Sequence, residues 1–357
     1  MRCAFLVVLV CLCSLAAADP ALARTRTYYI AADEIIWNFA PLGRDVIGNK
    51  PLPPLAPLQL GWMYRKAAYR EYTDATFRTL RPRPANEAYL GLFGPILRTE
   101  VGDSVIIVFK NNTRFHMSVH AHGMLYDKAS EGALYADGAP ARDKLNDAVP
   151  PGQKYTYSWH VPERAGPGPG DPSSVAWMFH SHTDEVHDVN TGPVGAIVVT
   201  ARGMAKADGS PKDVDREAFV FFAEEDEQQS RFVNANIADA RINPRHLKFN
   251  ATRFRLMNQF FTMNGFVYGN MPLVSMHKGD RVRWYIMTTM SDFDFHTPHW
   301  HGNTLLVDGM RTDLFSTGPM EMKTADMIPD SPGVWLLHCH VNLHLDGGME
   351  ARYEVLK

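Results

Sequence analysis

The sequence has little cysteine and no strong excess of charge of either sign. Only 4 of its 357 residues are cysteines, and three of them, Cys3, Cys11 and Cys13, lie at the N-terminus. The formal net charge of −3 excludes the basic excess that is typical of nucleic-acid-binding proteins. After the N-terminal stretch no apolar run reaches the length of a membrane span, and long amphipathic helical patterns are missing. These absences predict a strand-rich chain that binds neither nucleic acid nor a membrane.

The N-terminus has the pattern of an export signal. Arg2 precedes an apolar run that ends at Leu15, and small-residue cleavage patterns follow at 16–18 and 21–23. The pattern predicts a leader over residues 1–23 and a mature protein exported to the periplasm or the cell exterior. Cleavage would leave Cys339 as the one remaining cysteine. An internal disulfide is then excluded, and this thiol needs another explanation.

One unit of sequence occurs twice. Short apolar or alternating runs, separated by Gly, Pro and Asp turns, predict strands throughout the chain. Three pairs of matched segments recur in the same order. They are 101–103 with 278–280, 120–123 with 299–302, and 177–182 with 335–340. The repeat predicts two β-sandwich domains over residues 25–203 and 214–357, joined by a polar linker at 204–213.

Four His-x-His pairs stand at equivalent places in the two repeats. Residues i and i+2 of a strand point to the same face, about 6.5 Å apart along the chain, so each pair presents two imidazoles side by side. One such pair could arise by chance on a surface strand, but four matched pairs favour a metal cluster. The eight candidate ligands are His120, His122, His180, His182, His299, His301, His338 and His340.

Cys339 lies between two of these histidines. Strand alternation sends its thiol to the face opposite that of His338 and His340, so one strand can serve two metal sites. A free cysteine is more often an ordinary core residue. Here His296, His344 and Met349 fall into register with it, and two His, one Cys and an axial Met are the ligands of a blue-copper site.

The chain resembles the multicopper oxidases, which are built from cupredoxin domains. Segments 72–79, 92–96 and 335–341 resemble ceruloplasmin and hephaestin in their local sequence. The likeness covers nearly the whole mature chain. The two-domain length is similar to that of the small laccases. The resemblance implies an all-β chain of two cupredoxin-like Greek-key β-sandwich domains. It also implies one type 1, one type 2 and two type 3 coppers per protomer.

The resemblance also assigns roles to the candidate residues. A small-molecule reductant would give electrons one at a time to the type 1 copper, and four electrons would reduce O2 to water at the cluster. The type 1 ligands would be His296, Cys339, His344 and Met349; the type 2 ligands His120 and His299; and the type 3 ligands His122, His180, His182, His301, His338 and His340. Asp137 matches the laccase carboxylate that delivers protons, and Tyr126 matches a tyrosine beside the cluster. With Cys339 they are the predicted catalytic residues, although a turn aspartate and a packed tyrosine are the ordinary alternatives.

Domain 1 departs from the pattern at its type 1 position. Ser181 stands where domain 2 has Cys339, His187 follows His182 by five residues instead of four, and His116 precedes His120 by four instead of three. Domain 1 is therefore predicted to hold no type 1 copper. Ceruloplasmin arranges three such domain pairs in a ring, so the resemblance implies a homotrimer with clusters between subunits and an inactive monomer.

The positions that bind a substrate ion in the family also differ in this chain. By alignment, the positions at which ceruloplasmin binds ferrous iron hold Leu256, Phe261 and Leu343, which are not ligands for a hard ion. Apolar residues near the type 1 site favour a laccase-like oxidase of phenols and aromatic amines. The alternative is a cuprous or ferrous metallo-oxidase, for which the domain 2 methionines are candidate Cu(I) ligands. A copper nitrite reductase lacks the type 3 pair, and non-catalytic proteins of this fold have degenerate copper motifs, so both are less favoured.

Overall fold

The computed structural model describes residues 23–241, 251–289 and 294–357, and these residues form strands with a few short helices. The all-β prediction is therefore confirmed. The predicted leader, apart from its last residue, lies outside the described residues, together with its three cysteines. No helix in the described ranges combines the length and the apolar character that a membrane span requires.

The strands follow the hydrophobic patterning of the sequence. The first half contains β1 (Thr25–Asn38), β2 (Arg44–Asp45), β3 (Lys50–Pro51), β4 (Met63–Tyr72), β5 (Ile96–Glu100), β6 (Ser104–Asn111), β7 (His120–Ala121), β8 (Lys154–His160), β9 (Ser174–His180) and β10 (Val194–Thr200). The second half contains β11 (Arg216–Asp226), β12 (Gln259–Met263), β13 (Val274–His277), β14 (Val282–Thr289), β15 (Pro298–Trp300), β16 (Leu305–Val307), β17 (Met310–Thr312), β18 (Met322–Met327), β19 (Gly333–Cys339) and β20 (Glu350–Leu356). Every second residue of β6 is buried, whereas β10 is buried along its whole length because it lies between β5 and β9.

The helices of the described chain are short and lie between strands. The α-helices are Glu185–Thr191, Val233–Asp239, Ala251–Met257 and Asn342–Asp346, and the 3-10 helices are Ala85–Leu90, Lys128–Ser130, Ala141–Lys144 and Glu163–Ala165. Two of the α-helices directly follow the strands that carry His180 and Cys339. They bring later residues back towards those strands, which is how the two candidate sites are completed.

Both halves repeat one arrangement of strands. The first half has sheets in the order β4-β1-β6-β8 and β5-β10-β9-β7, and the second has β12-β11-β14-β18-β16-β17 and β13-β20-β19-β15. The leading strand of each half, β1 or β11, pairs antiparallel with one neighbour and parallel with the other. β10 and β20 likewise each have one parallel and one antiparallel partner. The sequence repeat is thus also a repeat of topology.

The two halves share buried apolar surface. One cluster of buried side chains fills the first half, with Ile107, Phe109 and Ile197 among its members. A larger cluster fills the second half and continues into the first, where Phe93 stacks on Phe221 with ring centroids 5.1 Å apart. Because removing apolar area from water stabilises the packed state, this shared core holds the halves against each other.

A buried ion cluster also joins the halves. Lys66 of β4 is fully buried, and its Nζ lies 2.7 Å from Glu225 and 2.6 Å from Glu227, at the end of β11. The same ammonium donates to the Asn190 carbonyl oxygen at 2.7 Å. Both carboxylates are buried, so the three charges depend on one another for compensation.

Lys66→Met is expected to lower the free energy of unfolding by about 3–5 kcal/mol, because it leaves two buried carboxylates without their cation. Urea unfolding followed by circular dichroism measures the change. The matched control is Arg65→Met, because the neighbouring Arg65 pairs with Asp239 at the exposed surface and should be nearly neutral. Equal unfolding midpoints for the two variants would contradict the assignment of Lys66 as a structural charge.

Candidate metal centre

The candidate ligands lie at the ends of paired strands. In the second half, β15 pairs with β19 so that His299 lies opposite His338 and Pro298 lies opposite Cys339. In the first half, β7 pairs with β9 so that His120 lies opposite His180. The two His-x-His pairs of each half are thereby brought side by side by the same register, as the repeat predicts.

The first site contains the thiol. His296, Cys339 and His344 are all buried, and their ligand atoms lie within 4.8 Å of one another. Cys339 Sγ is 3.5 Å from His344 Nδ1 and 4.0 Å from His296 Nδ1. Metal bonds of about 2.0–2.3 Å place three ligands in a plane roughly 3.5–4 Å apart, so this donor set fits one soft metal ion.

Neighbouring residues hold the thiol site in place. The Thr297 backbone N–H points to Cys339 Sγ at 3.4 Å. Met349 is fully buried; its carbonyl accepts from the Cys339 N–H at 3.1 Å, and its own N–H donates to the His344 carbonyl at 2.9 Å. The ring of Phe261 stacks on His344 with centroids 4.7 Å apart, so the His344 side chain is only 1% exposed. Together these contacts keep the thiol site away from solvent.

Four histidines on the opposite face of β19 form a second group, which we call the second-half quartet: His299, His301, His338 and His340. His338 Nε2 lies 3.1 Å from His301 Nε2 and 3.2 Å from His299 Nδ1. His338 is buried, but His340 is exposed. One thiol and two imidazoles from three successive residues therefore serve sites on two faces of a single strand.

The first-half quartet consists of His120, His122, His180 and His182. His122 Nε2 and His180 Nε2 are 3.1 Å apart. Within the described chain, every ring contact among the eight histidines joins members of one quartet. The two quartets are thus separate in one copy of the chain.

Hydrogen bonds orient three of the rings. Nδ1 of His120, His180 and His338 lies 2.7, 3.0 and 2.9 Å from the carbonyl oxygens of residues 131, 181 and 339, respectively. A carbonyl oxygen only accepts, so each Nδ1 carries the proton and each Nε2 is unprotonated, with its lone pair directed into the quartet. Imidazole nitrogens that converge with free lone pairs are the donor set of a metal cluster.

Burial keeps six of the candidate histidine ligands in the neutral, metal-binding form. It lowers the pKa of His180 and of His296 to about 3, and that of His122 to about 4. Burial also lowers the pKa of His120, His338 and His344. At neutral pH these nitrogens are therefore unprotonated and available to a cation.

Two family profiles, both described as multicopper oxidase, match residues 85–203 and 243–357, which together make up more than half of the chain. The chain belongs to the multicopper oxidase family. A solved structure described as a multicopper oxidase has a TM-score of 0.59 at 16% identity, over 93% of this chain and 89% of that one. This likeness supports the predicted cupredoxin-like fold.

Two curated relatives show how much of a longer protein this multicopper oxidase matches. The ferroxidase HEPHL1 of Mus musculus is 39% identical over 341 residues, which cover 93% of this chain and 29% of that protein. Ceruloplasmin of Homo sapiens is 35% identical over 349 residues, which cover 92% of this chain and 32% of that protein. The chain thus spans about a third of the length of these relatives.

In this multicopper oxidase, the first-half position equivalent to the thiol site holds a different set of residues. Ser181 Oγ donates to Asp188 at 2.7 Å, and Asp188 is paired with Arg231. Met117 takes the place of His296, because each precedes its His-x-His pair by three residues and forms the equivalent isolated bridge. His116 and His187 are exposed. This set contains no thiol and no imidazole, which agrees with the expected loss of the type 1 site.

The two predicted accessory residues have different surroundings. The ring of Tyr126 lies edge-on to His120 at a centroid distance of 6.0 Å, beside the first-half quartet. Asp137 instead pairs with Lys144 at 2.5 Å and Lys128 at 3.5 Å. The lysine hydrogen bond lowers the pKa of Asp137 to about 2. Asp137 is therefore a fixed negative charge at neutral pH.

Sequence reasoning missed a carboxylate beside the first-half quartet. Glu185 lies 3.1 Å from His182 Nε2 and 3.9 Å from His180 Nε2. This pairing lowers the pKa of Glu185 to about 2 and raises that of His182. The signal was available, since Glu185 follows His182 by three residues at the start of helix Glu185–Thr191. A metal that binds His182 through Nε2 competes with this ion pair.

Proposed function

We propose that the chain is a laccase-like multicopper oxidase that couples one-electron oxidation of phenols or aromatic amines to the reduction of O2 to water. The observation that carries the proposal is the position of Cys339. Its thiol converges with His296 and His344 on one face of β19, and the next residue on each side belongs to a histidine quartet on the other face. A single strand thus links an electron-accepting site to a cluster site.

The proposed copper set is one type 1, one type 2 and two type 3 ions per protomer. The type 1 ligands are His296, Cys339, His344 and Met349; the type 2 ligands are His120 and His299; the type 3 ligands are His122, His180, His182, His301, His338 and His340. When bound, the coppers supply one-electron uptake at type 1 and four-electron O2 reduction at the cluster. Cys339 would connect the type 1 site to the cluster, because its backbone carbonyl accepts a hydrogen bond from His338 Nδ1.

We further propose a homotrimer in which each cluster lies between subunits. The eight cluster ligands form two separate quartets in one copy, and each has members at least partly open to solvent. A threefold arrangement would bring the first-half quartet of one copy against the second-half quartet of the next. We also propose that the leader at 1–23 directs export of the mature protein.

The surroundings of the thiol site support an aromatic reductant. Leu343, next to His344, is 64% exposed, and Phe261 covers the imidazole face. An aromatic molecule can contact these apolar groups, and its electron would pass through His344 to the type 1 site, so no residue has to bind the reductant as a metal ligand would. The test is the absorption spectrum of the copper-loaded protein, together with O2 uptake on a panel of phenols, ferrous ion and cuprous ion. An intense blue band with phenol-dependent O2 uptake is expected, whereas ion-dependent uptake alone would contradict the laccase assignment.

A metal-ion oxidase is the second candidate, and two carboxylates favour it. Asp294 lies 4.0 Å from His344 Nε2, and Glu224 pairs across the strands with Phe261. Glu224 lines a cavity of about 150 Å³ that also contains Glu185 and Gln259. For cuprous ion, Met287 and Met327 of the second half are not accessible ligands, because both are buried in the core.

Glu224→Gln separates the two substrate classes. Phenol turnover should stay within about twofold of wild type, because Glu224 is not a copper ligand and an uncharged aromatic does not need the carboxylate. If the cavity instead receives a ferrous ion, removing the charge should raise the KM for that ion roughly tenfold or more. The control is Glu163→Gln, which changes an exposed carboxylate that pairs with Arg202, far from the cavity in sequence. Steady-state O2 uptake measures both constants.

A further inference from the structure

A chain of alternating charges runs beside the first-half quartet. Lys128 joins Glu131 to Asp137, and Lys144 joins Asp137 to Asp147 at 3.1 Å. The chain reaches solvent at Lys128, whose side chain is 53% exposed, and ends at Asp147, which is 2% exposed. It therefore connects the surface to a buried carboxyl group.

Both ends of this charge chain touch segments that carry proposed ligands. The Glu131 carbonyl accepts from His120 Nδ1. The Asp147 carbonyl accepts from the hydroxyl of Thr183, the residue that follows His182, at 2.8 Å. The adjacent Asn146 accepts from the N–H of Gly132, the residue after Glu131. The backbone of Asp147 thus contacts the residue after His182, and the adjacent Asn146 contacts the residue after Glu131, whose carbonyl orients His120.

Asp137, the residue matched by the family pattern, is in the wrong protonation state to give a proton. Lys144 holds it ionised at neutral pH. Asp147 differs because Lys144 contacts it less closely and only at Oδ2. In the described chain its other oxygen, Oδ1, is buried and has no hydrogen-bond partner. A buried carboxyl oxygen without a partner is costly when charged, and protonation of the group removes that cost.

We propose that Asp147, and not Asp137, is the carboxylic acid that supplies protons to the O2-reducing site. The inference rests on the proposed oxidase function. Each O2 takes four electrons from the reductant and four protons, giving two waters. A neutral Asp147 gives one proton at a time towards the site and takes a replacement proton from solvent on the side of Lys144, whose side chain is 22% exposed. It acts as a positioned donor at the edge of the site, not as a ligand.

On balance, the groups around Asp147 favour its protonated, neutral form. Burial raises its pKa, and the carboxylates of Asp137 and Glu131 raise it further, whereas Lys144 lowers it. The phenols of Tyr155 and Tyr157 also lie near it, and both are held neutral by raised pKa values. Turnover should therefore fall as pH rises through the pKa of Asp147, because the donor form is lost.

The test compares Asp147→Asn with Asp137→Asn, an identical change on the other side of the same lysine. Infrared difference spectra of the copper-loaded protein, taken across the alkaline limb of the kcat profile, should contain a carboxylic-acid C=O band that Asp147→Asn removes and Asp137→Asn keeps. Asp147→Asn should also lower kcat roughly 10- to 100-fold and flatten its pH profile, with copper content and blue absorbance unchanged. Unaltered spectra and an unaltered pH profile in Asp147→Asn would overturn the proposal.

Lys144→Met gives a second test that does not require Asp147→Asn to fold. Losing the shared cation should move the carboxylic-acid band and the alkaline limb of the kcat profile to higher pH. An unshifted band and limb would overturn the proposal. A wild-type protein that takes up no O2 would instead contradict the proposed function. Normal wild-type uptake that Asp147→Asn leaves unchanged at every pH would contradict this inference alone.

Discussion

Cys339→Ser is expected to give a folded protein without blue colour and without oxidase turnover. A serine hydroxyl is neither a thiolate nor a soft ligand, so the group that converges with His296 and His344 loses the donor that defines a blue-copper site. The side chain is fully buried and accepts the Thr297 N–H, a role that a hydroxyl can also fill. The fold should therefore survive the change.

Three measurements check this expectation. The intense visible band should disappear, circular dichroism should be unchanged, and O2 uptake with a phenol should fall by roughly 10³-fold or more, because the unit acts as a whole. Ser181→Ala is the matched control, since Ser181 occupies the equivalent position in the first half, where the site has no imidazole or thiol partners. It should keep colour and turnover. Retained turnover in Cys339→Ser would place electron uptake elsewhere in the chain.

Features with a short sequence period could be predicted from the sequence. The His-x-His pairs and Cys339 depend on strand alternation, which is local, and the repeat predicts that both halves place their pairs in the same way, as the equivalent registers of His299 with His338 and His120 with His180 show. The all-β fold follows from the same patterning. Such features need no knowledge of which distant segments meet.

Features formed by distant side chains could not be predicted. Lys66 meets Glu225 and Glu227 only because β4 and β11 pack together across more than 150 residues of chain. Asp137 was matched to a proton donor by position, but its lysine partners set its charge, and side-chain pairing around a turn leaves no periodic signal. At Met117 the sequence did contain a signal, because the spacing of Met117 from His120 equals that of His296 from His299, whereas His116 is one residue out of register.

Two inactive variants are expected to restore activity when they assemble together, if each cluster lies between subunits. The first variant, His120→Ala with His122→Ala, destroys the first-half quartet. The second, His299→Ala with His301→Ala, destroys the second-half quartet. Each should be inactive alone but remain blue, because neither change touches His296, Cys339 or His344.

In a mixed trimer, an interface has all eight ligands when its two quartets come from different variants. Its first-half quartet must come from the His299→Ala/His301→Ala variant, and its second-half quartet from the His120→Ala/His122→Ala variant. Random co-assembly makes about a quarter of the interfaces intact, so co-expressed protein should recover about a quarter of wild-type O2 uptake. The intact second half also carries its own Cys339, so electrons can still reach the restored cluster. Solution mass measurement should show three chains. A cluster within one chain would give no recovery at any mixing ratio, because every chain would then have lost two of its own eight cluster ligands.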